Sequence, residues 1–585
     1  MAESCRDSSG GRAENVDARI EIGLPAGGTP DTLDDRSLQP PADALRVTPP
    51  EPPRELESPL PTGAASVSRP ARASESRPTR FPRVLALPAV LAAIIAALSL
   101  LANQAVLRAS FLGAASALAI WCAWVGSSAH RNDRALHLTF VPRAQHWVQA
   151  CAQAVLILYW AFNNRLILGF LPFIAVQLVF AYAVDSLLTW SRRDEYALGF
   201  GPFPIIFSTN LFLLFRPEWF YWQFVLIVLG FVAKDTIRWT RDGRSAHIFN
   251  PSSFPLAVFS LVLLVTGTTN VTFGNIIANT IFDTPHIYLA IFLVALPGQL
   301  LFGVARVTVS AAITLYLIGL AYFAITGTYL FYDAYIPAAV FIGMTLLVTD
   351  PSTSPRTDLG RIMFGALYAA ATAVLFVLLE RAGAPTFYDK LLPVPLLNLM
   401  VRGIDRVARS PGFAALDPGR LLRDWPTPRR NVAYTSVWVA AFLVLLGVQG
   451  IGDRHPGQYL PFWHDACGAG SSRACGYVAR LTSVYCQRGS GWACNDIGIL
   501  NRRLGRPADR EFARACQLGY DPGCTNARNA TAAVVSLASG PPQLRDLPIV
   551  LSGTKPTLRD EDPARLYALA CEQRWPGACT SGAPR

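Results

Sequence analysis

The chain has little charge for its length. Of its 585 residues only 16% are Asp, Glu, Lys or Arg, while 52% are hydrophobic and the mean hydropathy is +0.31. Soluble globular chains carry about a quarter charged residues, so this shortage excludes a soluble enzyme. A phosphate-binding loop and a glycine-rich dinucleotide fingerprint are both missing, and so is any C-x2-C pair. These absences leave no nucleotide site of the usual kinds and no zinc ribbon or cytoplasmic iron–sulfur set. Residues 1–83 have no apolar run long enough to pack, and they hold 13 of the 44 prolines. Such a segment cannot bury enough surface to offset its ordering entropy, and is expected to be a disordered tail. It is not a signal peptide, because the first apolar block begins only at Val84. The net charge of +11 fits basic cytoplasmic loops, so no nucleic-acid partner is invoked.

Apolar runs dominate the rest. A spanning helix needs about 20 mostly apolar residues. Twelve blocks qualify, near 84–102, 110–126, 147–163, 167–190, 198–215, 220–236, 251–268, 287–304, 307–327, 332–349, 361–380 and 433–450. The even-numbered turns carry basic clusters, such as Arg131, Arg134 and Arg143, then Arg192 and Arg193, then Lys234, Arg238, Arg241 and Arg244. Odd-numbered turns are poor in Lys and Arg, which places the N-terminus in the cytoplasm. Twelve spans would leave Arg402, Arg406, Arg409, Arg420, Arg423, Arg429 and Arg430 outside. Counting the weaker segment Tyr388 to Ile404 as a span gives about 13 and returns that stretch to the cytoplasm. The expected organisation is a polytopic membrane domain over 84–408, a basic cytoplasmic linker over 409–432, a last transmembrane helix over 433–450, and an extracytoplasmic region over 451–585.

The cysteines check that orientation independently. Eight of the eleven fall after residue 450, as Cys467–Cys475, Cys486–Cys494, Cys516–Cys524 and Cys571–Cys579, each C-x7-C. Even numbers at one spacing indicate disulfides, which persist in an oxidising compartment such as the periplasm outside a bacterial inner membrane. Metal binding is the competing reading, with only His464 nearby. Segments such as EFARACQLGYDPGC and LYALACEQRWPGAC read as a helix end, a tight turn and a helix start. They resemble the cysteine-rich Sel1-like repeats, which implies a small disulfide-linked α/α domain with a concave face for a protein partner. The alternative is a purely structural cap. The fold class is therefore all-α: a transmembrane helix bundle plus a helical-repeat domain. Cys122 and Cys151 lie in apolar helices and are expected to be buried and inert.

Two polar motifs stand out on the cytoplasmic side. One is Asp242 to Ser253, containing Arg244, Asn250, Pro251 and Ser252; the other is Thr349 to Pro355, containing Asp350, Pro351 and Ser354. Each is expected to place an N-cap, Asn250 or Asp350, before a proline in the first helical turn. Helix N-termini suit a phosphate, a carboxylate or a flavin ring oxygen, with Lys234 and Arg244 adding charge. Plain interfacial capping is the other reading. Asp185, inside the fourth apolar block, is an ion-pathway candidate, or else snorkels toward the nearby interface.

HIFNPSSFPLAVFSL and MTLLVTDPSTSPRTDLGRIMFGALY resemble the two signature stretches of a family of flavin-binding membrane proteins. That family supplies an integral membrane component to the Na+-translocating NADH:quinone reductase, and its counterpart to the Rnf electron-transport complex. LLNLMVRGIDR, Leu396 to Arg406, is similar to the Leu-Met-Asn run and Ile-Asp pair of the family's last helix, and the resemblance spans about 147–408. It implies flavin bound in the membrane, electron transfer coupled to cation movement, and other electron-transfer subunits as partners beside the membrane lipids. Several family members attach FMN to Thr in a Ser/Thr-Gly-Ala-Thr sequence after an Asp. The nearest string here, Thr266-Gly267-Thr268-Thr269, lacks the Ala and the preceding Asp. The expectation is therefore FMN or riboflavin held without a covalent bond, as in a stand-alone relative. A non-redox transporter, or a scaffold that anchors the outer domain, are the alternatives.

Overall fold

In a computed structural model the described residues are 83–581 other than 242, 450–454, 504, 530–543, 554–561 and 576. The expected tail, 1–83, lies outside them but for Arg83, which opens a short 3-10 turn. Among the described residues the chain is mostly helical, and each expected apolar block carries a helix. The bundle begins with α1 (Ala86–Ser99), α2 (Ala105–Arg131), α3 (Ala144–Asn163), α4 (Leu171–Arg192), α5 (Pro202–Asn210) and α6 (Tyr221–Thr236). It continues through α7 (Ser253–Thr266), α8 (Gly274–Phe282), α9 (Ile287–Phe302), α10 (Ala305–Thr326), α11 (Ala338–Ile342), α12 (Asp358–Arg381), α13 (Pro393–Arg409) and α14 (Thr427–Val444).

Among the described residues five helical stretches are long and apolar enough to cross a membrane: Ala105–Arg131, Arg165–Arg192, Ala305–Thr326, Asp358–Arg381 and Thr427–Gly447. The pair α8 and α9 passes the same test jointly but bends by 99°, making six if it is one broken span. Two expected blocks shrink to half-length helices. Gly199 and Gly201 precede α5, Pro202 opens it, and after Asn210 the chain turns at Leu211–Phe212 and stays buried through Phe215. The Phe215 N–H is satisfied by Gln223 Oε1 at 3.1 Å, and an isolated bridge joins Phe215 to Thr272. Block 332–349 likewise holds only α11 and a π-helical turn, Gly343–Leu347, all buried. Irregular backbone at such depth is tolerated only where protein encloses it.

The all-α expectation needs one correction. Two small strand pairs form: β1 (His137–Phe140) lies parallel to β2 (Glu195–Leu198), and β3 (Arg238–Arg241) is antiparallel to β4 (Arg244–His247). They pair the loops that flank the polar end of the bundle. At that same end α10, α12 and α14 are locked by charge. Asp358 receives Arg306, Arg430 Nη2 at 2.7 Å and the Tyr434 hydroxyl at 2.9 Å, and Arg306 also stacks on the Tyr434 ring at 4.3 Å.

The C-terminal part contains α15 (Leu460–Gly468), α16 (Ser472–Gln487), α17 (Gly491–Arg503), α18 (Asp509–Gln517), α19 (Asp521–Arg528), α20 (Leu547–Leu551) and α21 (Pro563–Glu572). All four expected cysteine pairs are disulfides, with Cα atoms 4.4–4.7 Å apart. Each joins a helix end to the next helix start across one recurring turn. Three residues after the first cysteine the chain goes left-handed, at Gly470, Gly489, Gly519 and Arg574. The next N–H then reaches back to the carbonyl before that cysteine, as in Ser471 to Ala466 and Trp575 to Ala570. This is the hydrogen-bond pattern of a Schellman cap.

The C-terminal helices pack onto the bundle. Arg473 spans both oxygens of Glu380 at 3.1 Å, donates to the carbonyls of Tyr329 and Leu330, and lies 4.4 Å over the Tyr332 ring. Tyr332 stacks on Tyr477 at 4.1 Å, and His455 sits between Tyr329 and Tyr335. Glu380 is thus a docking residue.

Candidate functional site

The two polar motifs come together. Residues 248–252 follow the β3–β4 hairpin, where the Asn250 side chain folds onto its own backbone. Its Oδ1 accepts from the Ser252 and Ser253 N–H groups at 3.0 and 3.1 Å, and its Nδ2 donates to Leu347 O at 3.2 Å. A Cβ at Gly230 on α6 would stand 2.6 Å from Pro251 O, so only glycine lets that helix pass so close to the turn. Asp350 repeats the device: its Oδ1 accepts from the Ser352 N–H at 3.0 Å and its Oδ2 from the Thr353 hydroxyl at 3.3 Å. The strings Asn250-Pro251-Ser252-Ser253-Phe254-Pro255 and Asp350-Pro351-Ser352-Thr353-Ser354-Pro355 share this Asx-Pro-Ser-x-x-Pro pattern.

The helix-capping expectation holds for one motif and fails for the other. Asn250 caps the first turn of α7, which starts at Ser253. Asp350 caps no helix. Residues 350–357 are turns, and α12 begins at Asp358 behind a Thr357 cap whose hydroxyl accepts from the Gly360 N–H at 3.1 Å. Pro355 explains the delay, since it lacks an N–H and pushes Ser354 away from helical backbone. Thus no helix dipole stands behind Asp350.

Two residues of α13 bind the motifs to each other. Asn398 Oδ1 accepts from the Asn250 N–H at 3.2 Å while its Nδ2 donates to Thr353 O at 3.4 Å. Asp405 accepts from Arg241 Nη2, from the backbone N–H groups of Arg356 and Thr357, each at 3.0 Å, and from the Thr357 hydroxyl at 2.9 Å.

Between the turns lies a small pocket lined by Gln145, His146 and Gln149 of α3 with Lys234, His247, Asn250, Pro251, Ser252, Asp350 and Ser352. Gln145 Nε2 donates to Asp350 Oδ1 at 3.2 Å, and His247 Nε2 stands 3.6 Å from Asp350 Oδ2. Burial alone would raise the Asp350 carboxyl, but His247 and the Ser352 donors outweigh it and hold the pKa below the usual carboxylate value. Lys234 Nζ lies 3.5 Å from Asp185 Oδ1, and the Tyr196 hydroxyl donates to Asp185 Oδ2 at 3.3 Å. Asp185 therefore belongs beside the pocket, paired, and does not snorkel as a free carboxylate.

Other expected site residues lie apart from this pocket. The Ser354 hydroxyl donates to Asp350 O at 2.7 Å and its carbonyl takes Arg241, which makes it a support of the turn. Pro351 lines an adjoining, mostly apolar slot, shared through Gln145 and Gln149 and ended by Gln299. The Arg244 side chain lies outside the described residues. Thr269 sits in a turn at whose ends Arg216 N–H bonds Val271 O and Phe273 N–H bonds Leu214 O, away from the pocket. Cys122 is buried as expected; Cys151 is exposed, on a face of α3 turned out of the bundle. Among the described residues no group of three or more His, Cys, Asp or Glu could hold a metal.

The sequence reading missed Gln145, His146, Gln149, His247 and Asn398. His247 stood in the first motif without a role, and the repeated Asx-Pro-Ser string was the signal that the two turns are counterparts. Compared with protein-family models, curated proteins and solved structures, the chain matches none.

Proposed function

We propose that the protein is an integral membrane subunit of flavin-dependent electron transfer coupled to ion movement. The observation that carries the reading is the meeting of two Asx-Pro-Ser turns at one polar pocket beside a lysine and two histidines. Donors from Lys234, Gln145 and Gln149 suit the carbonyl oxygens and ribityl hydroxyls of FMN or riboflavin, and Lys234 balances charge on a reduced ring or phosphate. No covalent anchor is invoked. Asp185, paired with Lys234, couples that charge to a proton or cation. The resemblance to the flavin-binding membrane components of the Na+-translocating reductase and the Rnf complex supports the same assignment, and electrons come from partner subunits.

The proposed topology has about 13 crossings of a bacterial inner membrane, with the N-terminal tail and arginine-rich turns in the cytoplasm. The C-terminal part is a Sel1-like domain on the outer side with a protein partner. Its docking contacts, Tyr329–Tyr335 and Glu380, all fall in or beside turns that the charge pattern assigns outside, in line with the four disulfides.

The test is the visible spectrum of the protein purified in mild detergent, followed by acid denaturation. Flavin absorption, released on denaturation and lost in a folded Lys234→Gln/His247→Gln variant, is the expected result. A colourless folded protein would shift the assignment to a non-redox transporter. One observation favours that second reading: the 99° break between α8 and α9 is the kind of broken span on which transporters build substrate sites.

A further inference from the structure

At the other end of the bundle, beneath the C-terminal helices, lies a cavity. Its wall contains two adjacent buried charges. Asp389 and Lys390 are 2% and 4% exposed, with Lys390 Nζ 3.0 Å from Asp389 Oδ1 and 4.3 Å over the Phe387 ring. Burying an ion pair is expensive unless further hydrogen bonds satisfy both partners. Elsewhere in this protein that condition is met: Asp358 gathers two arginines and a tyrosine, and Asp405 an arginine, two backbone N–H groups and a hydroxyl. Asp389 receives only its neighbour, through the Lys390 ammonium and backbone N–H. A carboxylate offers about four acceptor positions and an ammonium three donors, so each charge keeps unused bonding capacity where it meets the cavity.

We propose that this cavity binds a small apolar α-amino acid, its ammonium held by Asp389 and its carboxylate by Lys390. A zwitterion meets both charges at once with opposite full charges and adds no net charge to a buried place. The remaining wall is mixed: Phe282, Phe331, Val340 and Phe376 form an apolar side for the ligand's side chain, Asn275, Asn279, Asp333 and Thr386 add polar groups, and Tyr477 of α16 closes the cavity from the C-terminal domain. This site stands independently of the flavin reading, since it shares no residue with the inner pocket.

The experiment uses the full chain in lipid nanodiscs with radiolabelled L-leucine as the probe, and with leucinamide and 4-methylpentanoate as competitors lacking one charge each. Saturable leucine binding is expected, with both competitors at least tenfold weaker than unlabelled leucine. Asp389→Asn and Lys390→Gln should each weaken binding at least tenfold. Asn279→Trp, at an exposed cavity position, should block it sterically while leaving the ion pair intact. Absence of leucine binding to the folded wild-type protein would overturn the proposal, as would binding that survives all three substitutions. Leucinamide competing as well as leucine would remove the role given to Lys390.

Discussion

His455 is a buried imidazole where the C-terminal domain meets the bundle. It lies between the Tyr329 and Tyr335 rings, and its Nδ1 accepts from the Gly457 N–H at 3.1 Å. Burial lowers its pKa from 6.5 to about 3, so the folded protein holds it neutral where the unfolded chain takes up a proton. The stability it permits is complete above pH ~6.5 and is lost as pH falls toward the folded value, by up to about 1.4 kcal/mol per pH unit. Thermal stability should therefore fall between pH 7 and 5, and His455→Asn, which keeps an acceptor for Gly457, should flatten that dependence. An unchanged slope in the variant would refute the assignment. The inner pocket shows how far single residues were legible. Asn250 and Asp350 announce themselves by the proline that follows each. Asn398 and Asp405 act through partners 45 or more positions away in sequence, so no local pattern reports them, although both lie in the stretch Leu396 to Arg406 singled out by its resemblance.

At the scale of elements, the four disulfide turns allow a sharper comparison. Three use glycine at the left-handed position, and the fourth uses Arg574 with φ 64°. Left-handed backbone costs a non-glycine residue roughly 1 kcal/mol. Arg574→Gly is therefore expected to stabilise the domain by up to about 1 kcal/mol, and Gly489→Ala to destabilise it by at least as much. Nothing lies within 4 Å of a Cβ at Gly489, so strain and not crowding is what chemical denaturation would read. These helix pairs were legible because the C-x7-C spacing marks both ends of each turn. The bundle was less so. Hydropathy located a helix in every block, but it missed α8, which lies between two blocks, and it could not separate α5 or α11, broken and enclosed by protein, from continuous helical spans, because burial in protein and burial in lipid select the same side chains. The hairpin β3–β4 was missed for the opposite reason: its residues are mostly polar and too few to show alternation.

At the scale of the whole molecule, the C-terminal domain is held to the bundle by a charged and aromatic clamp. Arg473 is its centre, with Glu380, two backbone carbonyls and the Tyr332 ring as partners. Arg473→Ala leaves a part-buried Glu380 without its cation and should cost about 2–4 kcal/mol of docking. Hydrogen exchange over residues 329–335 is the direct readout, with faster exchange expected in the variant while the four disulfides stay closed; unchanged protection would mean the aromatic contacts suffice alone. Because the clamp grips turns of the bundle and not merely the chain end, the domain is a fixed turret and not a flag on a rope. An antibody fragment raised against α17 to α19 would thus keep one orientation relative to the bundle helices, and could serve as an alignment marker for imaging.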